Sequence, residues 1–126
     1  MSENRKTLAL VAHDGKKADM VAFALSNKEV LLKYDLVATK TTGQLLIEKC
    51  GLQVRQMLSG PLGGDAQIAA QVAEGKIEAV FFFVDPLTAN PHDPDIQGLL
   101  RICNVHNVPL ATNAGTAKYI ISSLAL

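Results

Sequence analysis

The chain has 126 residues, 48% of them hydrophobic, and its 12 basic and 12 acidic side chains leave no net charge. That length makes one domain with a real core, burying roughly two-thirds of the surface its unfolded chain exposes. The balanced charge excludes a long-range field that would favour nucleic acid or an anionic membrane, while a small anion held by local donors stays possible.

No apolar run approaches the roughly 18 residues that a membrane span needs, and the polar stretch Met1 to Lys6 has no signal-peptide core. Cys50 and Cys103 lie far apart and form no Cys-x-x-Cys pattern. They read as buried free thiols in a reducing compartment, so the expected location is cytoplasmic.

In chain order, Thr7 to Ala12 (TLALVA) is a short apolar run stopped by His13-Asp14-Gly15, and it reads as a buried strand. Lys16 to Leu25 has helical period, with Ala18, Val21, Ala22 and Leu25 on one face. Ser26-Asn27 interrupts it, and Glu29 to Lys33 adds a further turn or two. Asp35 to Ala38 is a second strand, followed by the loop Thr39-Lys40-Thr41-Thr42-Gly43. Leu45 to Cys50 is a helix ended by Gly51, a left-handed stop. Val54 to Leu58 is a third strand.

Ser59-Gly60-Pro61-Leu62-Gly63-Gly64-Asp65 comes next, with three of the nine glycines within seven residues. No helix or strand interior tolerates that composition. Ala66 to Glu74 follows as a helix with Ile68, Ala69, Val72 and Ala73 on one face, closed by Gly75. Ala79 to Val84 (AVFFFV) is apolar without alternation, the mark of a central parallel strand covered on both faces. The long loop Asp85 to Asp95 carries three prolines. Ile96 to Asn107 is a helix with Ile96, Leu99, Leu100 and Cys103 inward, and Val108 to Ala111 is a fifth strand. Thr112-Asn113 caps a last helix with Ala117, Ile120, Ile121 and Leu124 inward.

This strand-helix alternation predicts an α/β fold: a doubly wound, mainly parallel five-stranded sheet with helices on both faces, a three-layer sandwich of Rossmann or flavodoxin type. The order of strands stays open, as does a small antiparallel edge.

Ligands of such sheets bind outside the carboxyl ends of the strands. The polar clusters fall there: His13-Asp14, Thr39 to Gly43, Ser59 to Asp65, Asp85 to Asp95 and Thr112-Asn113 follow the five strands in turn. Thr41-Thr42-Gly43 is either a helix cap or part of a phosphate cradle at a helix start. Ser59-Gly60 offers further donors. Lys16 or Lys17, set against the helix dipole in a first turn, either neutralises an anion or is merely solvated. Asp65 is either a cap for the helix that follows or a base held beside the cradle. Asp93-Pro94 reads as cap and first helical position, and Asp95 lies in that first turn, three residues after His92. His106, late in a helix, reads as an ordinary histidine, whereas His92 in its proline-stiffened loop is the functional candidate. No Walker or dinucleotide fingerprint is present, so the implied ligand is a small phosphate ester.

These motifs together resemble methylglyoxal synthase. The matching residues are Val11-Ala12-His13-Asp14, Ala38-Thr39 with Thr41-Thr42-Gly43, Leu58 to Asp65 with Gln67, and Phe82-Phe83 with Asp85-Pro86-Leu87. Pro91-His92-Asp93-Pro94-Asp95, Leu99-Leu100-Arg101 and Pro109 to Asn113 complete the match, which runs in register from about Leu8 to Ile121. The resemblance implies one methylglyoxal synthase-like domain over residues 1–126. It implies a lyase that turns dihydroxyacetone phosphate into methylglyoxal and inorganic phosphate without metal or organic cofactor, as a bypass of glycolysis. By the same resemblance Asp65 is the base, and His92 contacts the oxygens that become an enediol. Asp95 and Asp14 assist with proton handling. His13 contacts substrate oxygens, and Lys17, Thr39, Thr41, Thr42, Ser59 and Gly60 hold the phosphate. A homohexamer inhibited cooperatively by phosphate is also implied, with no nucleic-acid or membrane partner.

Three departures stand out. Lys40 replaces the family's usual glycine in Thr-Gly-Thr-Thr-Gly, where it either adds attraction for the phosphate or, if the position needs positive φ, crowds the loop. Ala66 and Ala69 replace Gln and Gly, changes that favour helix. The sequence given stops at Leu126, without the extension whose arginine reaches a neighbour's phosphate site in some members, which leaves a contact of that kind open. The alternative function is a non-catalytic effector-binding module of the same fold, as found in a large synthetase subunit and one purine-pathway enzyme. Such a module keeps phosphate loops and needs no base, and Asp65, His92 and Asp95 together argue against it.

Overall fold

A computed structural model describes residues 5–88 and 93–126, with the side chains of 93–95 left out of the description. Five strands, β1 (Thr7–Ala12), β2 (Asp35–Ala38), β3 (Arg55–Gln56), β4 (Ile77–Phe83) and β5 (Leu110–Ala111), form one sheet in the order β3-β2-β1-β4-β5. Every pairing is parallel, so the described sheet has no antiparallel edge. Six helices connect and flank it: α1 (Lys17–Ser26), α2 (Lys28–Leu31), α3 (Lys40–Cys50), α4 (Gly64–Ala73), α5 (Asp93–Val105) and α6 (Ala114–Leu124).

The alternation of side chains along each strand divides the core in two. Leu8 and Leu10 of β1 and Phe81 and Phe83 of β4 face α1, α2, α3 and α6 through Met20, Phe23, Leu31, Leu46 and Ile121. Ala9, Val11, Val80 and Phe82 face the other way, against Ile68 and Val72 of α4 and Ile96, Leu99 and Cys103 of α5. The unbroken apolar run of β4 is thereby covered on both faces, as its composition predicts.

Several expectations shift. Ala73 of α4 is exposed, and the fifth strand keeps only Leu110–Ala111. The buried face of α1 is Met20, Phe23 and Ala24, while Ala18, Ala22 and Leu25 point outward. This helix is apolar nearly all round, so period alone offers two faces, and the bulkier Met20 and Phe23 take the core. β3 keeps only two residues, because it is an edge strand paired only with Val37 and Ala38 at the end of β2. Thr41, Thr42 and Gly43 are helical rather than loop, since α3 begins at Lys40 with Thr39 as its N-cap. α4 likewise begins early, at Gly64, which places Asp65 inside it. The stop at Gly51 is as expected, with φ of 65°, and Asn113 caps α6 by accepting the Thr116 N–H at 2.8 Å.

Candidate active site

The chain leaves β1 toward β2 and leaves β4 toward β5, although β1 and β4 are neighbours. Their connections diverge and open a crevice at the carboxyl ends. A cavity of about 450 Å³ lies there. His13, Asp14, Gly15 and Lys17 enter it after β1, Thr39 and Thr41 after β2, and Ser59, Gly60, Pro61 and Asp65 after β3. Phe82, Asp85 and Thr88 complete it from the end of β4.

Asp65 is the second residue of α4 and is 0% exposed. It is not the N-cap; Gly63 is, at φ 107°. The burial follows from the close approach of α4 to the end of the third strand segment. The Gly64 N–H donates to the Ser59 carbonyl at 2.9 Å, and the Leu58 N–H donates to Gln67 Oε1 at 2.8 Å. A Cβ on Gly64 would stand 1.9 Å from the Leu58 carbonyl oxygen, so only glycine fits. Ser59 is extended at ψ 156° and leads into a single 3₁₀ turn, Gly60–Leu62, which carries Ser59 and Gly60 along the cavity wall.

Opposite stands the start of α3. Its first-turn amides have no intrahelical acceptor, and the helix dipole favours an anion there. Thr41 lines the cavity. Thr42 is used differently: it is 1% exposed and does not line the cavity. Its hydroxyl accepts the Ala12 N–H at 3.3 Å, lies 3.4 Å from the Ala12 carbonyl, and meets the Thr39 hydroxyl at 3.4 Å. The Thr42 side chain thus pins α3 to the end of β1, and what it offers an anion is its first-turn N–H. Lys40 has no positive φ, and it is exposed and outside the cavity lining. The crowding that a left-handed position would impose does not arise.

Lys17 brings the cation. Its Nζ donates to the Ala12 carbonyl and to Asp14 Oδ1, both at 2.9 Å. The hydrogen bond from Lys17 and its charge hold the Asp14 carboxyl below its ordinary range. Asp14 itself sits on the open rim.

His13 is buried and packs edge-on to Phe82, ring centroids 5.3 Å apart. Its Nδ1 accepts the Asp85 N–H at 2.9 Å, and its backbone N–H donates to the Phe83 carbonyl at 3.1 Å. Of the remaining expected residues, His92 lies outside the described residues, and Asp95 falls in the first turn of α5 with its side chain also outside them. Sequence reasoning assigned no role to Phe82, Asp85 or Thr88. The signal available was the Asp85-Pro86 pair placed directly after a central strand.

A doubly wound α/β enzyme, built around a buried carboxylate with an anion cradle beside it, is the class this arrangement defines. Comparison with known proteins narrows it. The family model described as the MGS-like domain matches residues 19–112. Methylglyoxal synthase of Thermus thermophilus is 61% identical over 117 residues, covering 93% of either chain. That of Clostridium botulinum is 57% identical over 114 residues, 90% of this chain and 96% of the relative. The crystal structure of methylglyoxal synthase from Elizabethkingia anophelis superposes with a TM-score of 0.88 at 47% identity, covering 94% of this chain and 78% of that one. The chain belongs to the methylglyoxal synthase family.

Proposed function

We propose that the chain is a carbon–oxygen lyase that converts dihydroxyacetone phosphate to methylglyoxal and inorganic phosphate. The observation that carries this reading is Asp65, wholly buried at a cavity whose other walls are helix-start amides, hydroxyls and a lysine.

The chemistry follows from those groups. The phosphate sits against Thr39, Thr41, Ser59, Gly60, the Thr42 N–H and Lys17, which exchanges Asp14 for the substrate anion. Asp65 takes a proton from the hydroxyl-bearing carbon, and the electron pair moves onto the ketone oxygen as an enediolate. His13 and His92 donate to the two substrate oxygens, as a neutral histidine does for the same substrate in triosephosphate isomerase. Asp14 and Asp95 handle protons on those oxygens. The enediol electrons then expel phosphate from the neighbouring carbon, breaking its C–O bond, and the resulting enol becomes methylglyoxal. The cradle meets the charge of the leaving phosphate.

We read residues 1–126 as one domain, a reading supported by the one cavity that groups following β1 to β4 line together. We propose a homohexamer on the family resemblance; the exposed apolar side chains Leu62, Leu87 and Tyr119 are available to contacts between copies. Inhibition by inorganic phosphate follows from a cradle shared by product and substrate. The two buried thiols, Cys50 and Cys103, support a reducing, cytoplasmic setting and a role as a bypass of glycolysis there.

The test is an assay of the purified chain for methylglyoxal and phosphate release from dihydroxyacetone phosphate. Equimolar appearance of both is expected. Phosphate binding with no release of either product would make the chain the regulatory module instead.

A further inference from the structure

Asp85 lies at the cavity edge and has no part in the scheme above. Its backbone N–H points at His13 Nδ1 from 2.9 Å. A backbone N–H can only donate, so Nδ1 carries a lone pair, and the hydrogen of a neutral imidazole must sit on Nε2. The amide is aimed by the residue's own side chain. Asp85 Oδ1 accepts the Leu87 N–H at 3.1 Å, closing an Asx turn, and the Thr88 hydroxyl bonds the same carboxylate. These two bonds hold the Asp85 carboxyl below its ordinary range. The carboxylate is also seated against Gly15: a Cβ there would lie 2.3 Å from Asp85 Oδ2. The backbone of His13 is tied to β4 by its amide N–H, which donates to the Phe83 carbonyl, and its ring packs edge-on to Phe82. Histidine and amide therefore meet as two clamped parts.

We propose that Asp85 is a positioning residue, whose side-chain turn holds its N–H on His13 Nδ1 and so keeps His13 in the Nε2–H form that donates to a substrate oxygen. This rests on the proposed lyase reaction for its catalytic meaning, but the tautomer itself does not depend on any substrate.

The test uses the full chain with ¹⁵N-labelled histidine, the His13 signals being assigned by their loss in His13→Gln. The wild type should show one unprotonated nitrogen, Nδ1, and one protonated, Nε2. Asp85→Ala should give a mixed tautomer, with kcat falling roughly tenfold to a hundredfold and KM staying within about threefold. Gly15→Ala, which pushes the carboxylate from the other side, should show the same mixture. Asp85→Asn keeps an oxygen acceptor for Leu87 and should retain the wild-type spectrum, with kcat within about threefold. A wild-type His13 protonated on Nδ1 overturns the proposal, and so does an unchanged tautomer in Asp85→Ala. Equal loss of kcat in Asp85→Asn and Asp85→Ala also overturns it, because the carboxylate would then act directly. The tautomer is read without substrate, so a failure of this proposal is distinguishable from a failure of the lyase reading. The Asp85→Asn spectrum controls for misfolding of Asp85→Ala.

Discussion

Gly64 and Leu58 touch so closely that no side chain fits between them: a Cβ on Gly64 would lie 1.9 Å from the Leu58 oxygen and 2.9 Å from Thr39 Cγ2. The first of these is backbone, which cannot swing aside. Gly64→Ala must therefore push the start of α4 away from the end of the third strand segment, taking Asp65 with it. We expect a loss of about 1–3 kcal/mol in stability, as for other overpacked cores, with turnover falling further than stability alone explains. Denaturant midpoints beside kcat measured on the folded fraction check this. Wild-type kcat in the folded variant would show that the exact seat of Asp65 is not needed.

Asp14 and Lys17 give a pH dependence with a definite sign. The folded Asp14 carboxyl lies below its ordinary value of 3.8 because Lys17 donates to it and attracts it. A depressed carboxyl contributes stability that is complete above that ordinary value and is lost as pH falls through the folded one. The melting-temperature gap between wild type and Asp14→Asn should thus be small, present at pH 5 to 7, and should close below about pH 3.8. The same variant releases Lys17, so inorganic phosphate should bind more tightly. Weaker phosphate binding in Asp14→Asn would mean that Asp14 does not compete for the lysine.

Much of this was legible in the residues. The apolar run of β4, the Gly51 stop and the Asn113 cap are local signals, and each stands where patterning put it. The clustering of polar groups after successive strands pointed to one rim, and groups following β1 to β4 line one cavity. What stayed illegible is non-local. The burial of Asp65 depends on how near α4 comes to Leu58, and the hydroxyl of Thr42 is spent on Ala12, 30 residues away. The face of α1 could not be chosen from a helix with two apolar sides. Nor does period say that a backbone amide of Asp85 would meet His13, 72 residues earlier.

The two adjacent threonines should separate cleanly. Thr42 is buried with its hydroxyl bonded to Ala12 and Thr39, so Thr42→Val strands those partners and should cost about 1–3 kcal/mol. Thr41 lines the cavity, and Thr41→Ala should leave stability nearly unchanged while raising KM and weakening phosphate inhibition. Thermal melts and inhibition curves on both variants check this. Unchanged inhibition in Thr41→Ala would remove its side chain from the anion site.

Lys40→Gly tests whether the departure from the usual glycine matters. Lys40 is exposed at the first position of α3 and has no left-handed backbone to relieve. Glycine there should cost up to about 0.5–1 kcal/mol in stability through backbone entropy, with KM and kcat within about twofold, since the side chain is outside the cavity. A clear gain in kcat would show that the lysine hinders the phosphate loop after all.

Asp65→Asn separates binding from chemistry. The amide has almost the same shape, so the tight approach of α4 to Leu58 is preserved and the variant should fold. An amide cannot take the proton, and loss of a positioned base lowers rates by roughly 10²–10⁴-fold. Binding of a non-reactive analogue of the enediolate phosphate should persist, because the cradle of Thr41, Ser59, Gly60 and Lys17 is built from other elements. It should even tighten modestly if Asp65 repels the anion, since no negative charge then remains at the buried site. Titration calorimetry with the analogue, together with kcat, reads both effects. Near-normal turnover would pass the role of base to another carboxylate on the rim, with Asp14 and Asp95 the next to be replaced.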